Sequence, residues 1–123
     1  MELCGDNLFV ELQNHGIGAQ FKTNPMLIEI AEKIGAPLLV TNDCHYVSHK
    51  DHVAHDSLLC VQTNSKISDQ NRFRFESDQH YLKSSFEMRE LFSEVEIGCD
   101  NTLWINERSS IDIDFGSLHL RVS

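Results

Sequence analysis

Apolar positions along the chain switch between strand-like and helix-like spacing. Leu8-Phe9-Val10-Glu11-Leu12 reads as a short strand, and Asn14, Gly16 and Gly18 break the pattern after it. Thr23 or Asn24 is placed to cap a helix, with Pro25 in its first turn. Leu27, Ile30, Ala31 and Ile34 then recur at helical spacing, and Gly35 is a natural stop. Pro37-Leu38-Leu39-Val40-Thr41 follows as a nearly continuous apolar run. The order is strand, helix, strand with short connections. Both strands read as buried, which is the habit of a parallel α/β sheet or barrel.

The pattern changes near residue 63. Ser48, with Asp51 three residues on, predicts a helix to about Gln62 with Val53, Ser57, Leu58 and Val61 inward. Residues 63–71 are polar and read as a loop. Residues 72–76 alternate, predicting a half-exposed strand with Phe73 and Phe75 on one buried face. Residues 79–83 predict another short strand. Ser84-Ser85-Phe86-Glu87 fits a capping box, followed by Met88, Leu91 and Phe92 on one face. A last helix is expected over residues 97–108. Ile111-Asp112-Ile113-Asp114-Phe115 alternates again before Gly116. The expected organisation is α/β material over 1–62 and a mixed α/β connector over 63–123.

Composition narrows the function classes. The chain has 123 residues and a formal net charge of -9. A free-standing DNA-binding module carries a basic patch instead, so the chain alone is not expected to bind DNA strongly. No apolar run approaches the roughly 20 residues of a membrane helix. The N-terminus lacks the pattern of a signal peptide, which favours the cytoplasm. Cys4, Cys44, Cys60 and Cys99 form no C-x-x-C pair and read as free thiols, Cys60 as a small buried helix residue.

Asp43 and His45 are the sharpest chemical signal. Residues two apart on an extended segment point to one side, and this pair follows the C-terminal end of an apolar strand, where α/β sheets and barrels place their sites. A carboxylate with an imidazole suits zinc or manganese. A polar turn with Asp43 capping local backbone fits equally. Two ligands do not complete a site. His15, just past the first strand, can face the same end. His52 and His55, three apart on a helix, can share a face, with His55 hydrogen bonding at the rim. Tyr46 is a rim residue able to stack or donate. His49, His80 and His119 are the remaining histidines. There is no H-E-x-x-H, P-loop or nucleophile elbow. Arg72 and Arg74 interleaved with Phe73 and Phe75 are too few to specify nucleic-acid stacking.

Several strings in register resemble the α subunits of bacterial DNA polymerase III, the C-family replicative polymerases. They are Asp6-Asn7-Leu8-Phe9-Val10-Glu11-Leu12-Gln13-Asn14-His15-Gly16, Thr41-Asn42-Asp43-Cys44-His45-Tyr46 and Ala54-His55-Asp56-Ser57-Leu58-Leu59-Cys60-Val61-Gln62-Thr63. Tyr81-Leu82-Lys83-Ser84, Glu87-Met88, Asp100-Asn101-Thr102-Leu103 and Glu107-Arg108 continue the likeness. Ser85, Trp104, Asn106 and the final Leu120-Arg121-Val122-Ser123 depart from the family's habit.

The resemblance implies the C-terminal portion of a distorted (βα)7 PHP barrel followed by a connector toward the polymerase palm. It implies that Asp43 and His45 are the last metal-binding motif of that domain, whose cluster serves 3′-5′ exonuclease proofreading in some members. The other ligands are then expected before Met1, and the magnesium-binding palm carboxylates after Ser123. The implied partners are DNA and other replisome subunits, met through the parent protein, with the fragment alone inactive. A free-standing PHP-type metal-dependent phosphoesterase and a non-catalytic interaction module of the same fold are the alternatives.

Overall fold

The computed structural model describes residues 4–116. His119 and the departing residues 120–123 lie outside them. The architecture is mixed α/β. Strands β1 (Val10–Gln13) and β2 (Leu38–Thr41) pair in parallel, with Val10 opposite Leu38 and Gln13 opposite Thr41. Helix α1 (Gly18–Ile34) joins them. Only Leu12 of β1 and Val40 of β2 are buried, so the strands are covered on one face rather than on both.

Helix α1 starts earlier than its sequence predicts. Ile17 precedes it in an extended conformation without a side-chain cap. Its first turns are instead bonded to the residues before the helix. The Gln20 side chain accepts the His15 N–H at 2.7 Å, and Asn24 Nδ2 donates to the Gln13 carbonyl at 3.0 Å. Asn24 is thereby spent on the end of β1, and Pro25 lies inside the helix. The C-terminal stop is as expected. Gly35 takes φ 66°, and the N–H groups of Ala36 and Gly35 bond to Ala31 and Glu32 carbonyls at 3.0 and 3.3 Å. That is a Schellman closure, which needs a residue tolerant of positive φ.

After β2, a 3-10 turn (His49–Asp51) leads into α2 (His52–Gln62). The Asp51 carboxylate accepts the Ser48 N–H at 2.9 Å, as the capping pattern predicts. The buried face of α2 differs from the expected one. Leu59 and Cys60 are buried, whereas Val53, Leu58 and Val61 are exposed. The loop after α2 decides this, because it returns over the opposite face. Arg72, its side chain nearly buried, grips Asp56 with two 2.6 Å bonds. The same tie removes residues 72–76 from any sheet, and Phe73 is exposed. Residues 79–83 make one parallel bridge, Tyr46 with Tyr81. Residues 111–115 form no strand and are exposed.

Helices α3 (Ser85–Leu91) and α4 (Glu96–Arg108) close the structure. The core joins Leu12, Val40, Phe92 and Cys99, with Leu27, Ile28, Leu38, Met88 and Val95 packed around it. Side chains from both sides of residue 63 therefore share one core. Helix α4 lies close on β2, and Asn101 Nδ2 donates to the Leu38 carbonyl at 2.7 Å. Trp104 meets Phe9 edge to face at 5.1 Å, and Arg108 reaches the Asp6 carbonyl and Asn7 Oδ1. No helix among the described residues is long and apolar enough to cross a membrane.

A Cβ on Gly98 would stand 2.8 Å from Val40 Cγ1. Val40 is β-branched and buried, so it cannot swing away. Gly98→Ala normally adds about 1 kcal/mol of helix propensity, but overpacking costs about 1–3 kcal/mol. The expected outcome is a lower urea midpoint; a raised midpoint would show that α4 sits loosely on β2.

Glu87 accepts from Ser84 N and Ser84 Oγ at 2.8 and 2.7 Å and from Tyr81 Oη at 2.8 Å. The Ser84 hydroxyl first, then its N–H and Tyr81, pull the carboxyl down to about 2. The folded value lies below the unfolded one. The contribution is therefore full above the unfolded pKa and is lost as pH falls through the folded one. Thermal melts across the acid range should show a shallower loss of Tm for Glu87→Gln than for the parent chain. Parallel curves would deny Glu87 that role.

Candidate metal centre

The parallel register brings two loop starts together. Gln13 faces Thr41, so His15 and Asp43, two residues further on, arrive side by side. The Asp43 N–H donates to His15 Nε2 at 3.2 Å. His15 is 1% exposed, and Gln20 Nε2 lies 3.0 Å from its Nδ1. Ser77 Oγ donates to the His15 carbonyl, which ties the returning loop to the same point. His15 supports the backbone under Asp43 and does not stand among the converging donors.

Asp43, His45 and His80 do converge, each with one ligand-type atom within 4.8 Å of the others. His45 Nε2 is 3.1 Å and His80 Nδ1 3.9 Å from Asp43 Oδ2. His80 Nδ1 is also 3.2 Å from the Asp43 carbonyl oxygen. A carbonyl can only accept, so Nδ1 carries the proton and Nε2 keeps the lone pair. His80 is buried while Asp43 and His45 are exposed, so the group opens to solvent on one side.

Rings enclose the other side. Phe75 stands 4.6 Å from His45, 5.0 Å from His55 and 4.5 Å from His80 between ring centroids. His15 stacks on His80 at 4.2 Å and 8°. His55 tilts against His45 and Tyr46 at 5.4 and 5.3 Å. The Tyr46 hydroxyl accepts the His80 N–H at 3.3 Å. Burial is the main cause lowering the pKa of His15, His55 and His80; neighbouring His80 adds to it for His15, and His45 for His55 and His80. Burial raises Tyr46. The three imidazoles are thus held toward the neutral, lone-pair-bearing form that ligation requires.

The structure gathers all five residues singled out from the sequence, His15, Asp43, His45, Tyr46 and His55, within one rim. Sequence reading gave His80 no role. It lies 35 residues after His45, and the Tyr46–Tyr81 bridge, with the His45 N–H donating to the His80 carbonyl at 2.8 Å, carries it back. The available signal was its place beside Tyr81-Leu82-Lys83-Ser84. Two imidazoles and a carboxylate are a donor set that borderline divalent metals accept, with water completing the shell.

No family model matches the chain. Curated relatives do. It is 48% identical over 109 residues to the DNA polymerase III subunit alpha of Mycobacterium leprae (strain TN), 87% of this chain and 9% of that protein. The Treponema pallidum (strain Nichols) counterpart is 45% identical over 108 residues, 88% of this chain and 9% of that protein. The Deinococcus radiodurans counterpart is 41% identical over 118 residues, 94% of this chain and 9% of that protein. The chain therefore spans about 9% of the length of the relatives it matches.

Truncating His15 removes a buried ring and the acceptor for Asp43 N–H. His15→Ala is expected to cost about 2–5 kcal/mol, as other buried large-to-small changes do. Urea denaturation measures it. An unchanged midpoint would show that Asp43 is held without His15.

Proposed function

Because the chain is related over most of its length to DNA polymerase III alpha subunits, we propose that it is a segment of such a subunit, acting in DNA-directed DNA synthesis during chromosomal replication. The supporting observation is identity of 41–48% across 87–94% of the chain. On this reading residues 1–62 are the C-terminal part of a PHP domain, a distorted (βα)7 barrel, and 63–123 lead toward the palm. The parallel β1–α1–β2 unit fits one repeat of such a barrel. DNA and other replisome subunits are the parent's partners, in the cytoplasm.

Within that reading, Asp43 and His45 are metal ligands, with the His80 ring the third group that converges on them. His15 holds the Asp43 backbone, Tyr46 holds the His80 backbone, and His55 and Phe75 wall the site from water. A bound zinc or manganese ion there supplies Lewis-acid polarisation of a phosphodiester and activation of a water, the chemistry of 3′-5′ exonuclease proofreading. Magnesium for nucleotidyl transfer belongs to palm carboxylates elsewhere in the parent.

The purified chain should show neither polymerase nor nuclease activity and should bind zinc or manganese weakly. Asp43→Ala should weaken that binding. Metal-dependent cleavage of a phosphodiester by the chain, lost in Asp43→Ala, would overturn the segment reading and establish a PHP-type phosphoesterase. Metal binding indifferent to Asp43→Ala would overturn the ligand assignment.

A further inference from the structure

A second set of metal-type donors stands at the start of α2, outside the Asp43 group. His49 and His52 come from the 3-10 turn and the first residue of α2, and Asp78 from the returning loop. One ring nitrogen of each histidine and one carboxylate oxygen lie within 4.8 Å of one another. His49 Nε2 is 3.0 Å from Asp78 Oδ2. Ligand atoms around a tetrahedral zinc with bonds near 2.0–2.1 Å stand about 3.3 Å apart, so that pair is already close to ligand spacing. His52 Nδ1 lies 2.8 Å from the His49 carbonyl. That contact protonates Nδ1, orients the ring and leaves Nε2 with the lone pair, the usual backbone support of a ligating histidine.

We propose that His49, His52 and Asp78 form a second binding site for a borderline divalent cation of the zinc type. Two imidazoles and one carboxylate make up the protein ligands of a three-ligand zinc site, with water taking the fourth position. The side chains of His49 and Asp78 are about half exposed, at 49% and 44%, so the ion has access and water can complete the shell. The Asp78 carboxyl is lowered, first by Gln79 and also by His49, and is therefore anionic at neutral pH. The chain's net charge of -9 favours cation accumulation.

The site has a structural consequence. It joins the start of α2 to the loop at Asp78, two residues before His80. Arg72 and Asp56 already pin the loop to the middle of α2. An ion at the second site clamps its other end and so steadies the segment that carries His80 and Phe75. The alternative is a simple His49–Asp78 ion pair at the surface, worth little. The two differ at His52, which an ion pair does not use and an ion does.

The experiment uses the full chain carrying Asp43→Asn, which removes a donor from the first group. Zinc is titrated near neutral pH against a chromophoric zinc indicator, with far-UV circular dichroism confirming the fold. The Asp43→Asn chain should retain one zinc equivalent, and adding His52→Ala should weaken it at least about tenfold. Zinc should also slow tryptic cleavage after Lys66 and Arg74 in Asp43→Asn but not in the double variant. Asp78→Asn replaces His52→Ala if the latter disturbs the fold, with the same expected result. Affinity within about twofold after both substitutions, or unchanged proteolysis, would overturn the proposal. An effect of Asp43 alone would also overturn it. Weakening by His52→Ala with no effect of Asp43 would support this site while sinking the first.

Discussion

The arrangement rests on the register of two short parallel strands. Pairing Gln13 with Thr41 makes both chains leave the sheet at the same level. His15 and Asp43 then meet as acceptor and donor. A shift of one residue would reverse the side-chain faces of β2. It would send Val40 out of the core and break the His15 support together. The same register thus serves packing and the rim at once.

Helix α4 holds that register from behind. Gly98 lets its backbone approach Val40, and Asn101 occupies the Leu38 carbonyl that β1 does not use. Trp104 packs on Phe9, and Arg108 beside it ties α4 to the residues before β1. The later part of the chain thereby covers the sheet that the earlier part builds, through Phe92 and Cys99 against Leu12 and Val40.

The rim is rich in imidazoles, and burial lowers the pKa of His15, His55 and His80 while Asp43 stands beside His45 and His80. Phe75 is its central wall, in contact with three histidine rings. Asp43 offers its carboxylate to the open side while its N–H and carbonyl are used inside by His15 and His80. Backbone and side chain of one residue are thus given separate tasks. This is why a substitution of the side chain can address ligation while leaving the support in place.

Local signals determined much of this protein. The strand–helix–strand order, the Gly35 closure, the Ser48–Asp51 and Ser84–Glu87 caps and the helix ending at Arg108 are short-range chemistry, complete within a few residues. The nearness of Asp43 and His45 follows from their spacing for the same reason. Tertiary structure alone decided the start of α1, because Gln20 and Asn24 are bound to residues before the helix. It also decided which face of α2 is buried, because Arg72 draws the loop over one side. The alternation at 72–76 and 111–115 carried a strand signal, but neither segment is a strand, and strands need pairing that local sequence does not supply. His80 entered the rim for the converse reason. Its own spacing does not point to the site, and the Tyr46–Tyr81 bridge with the backbone bonds of His80 to His45 and Tyr46 closes the 35-residue distance to His45.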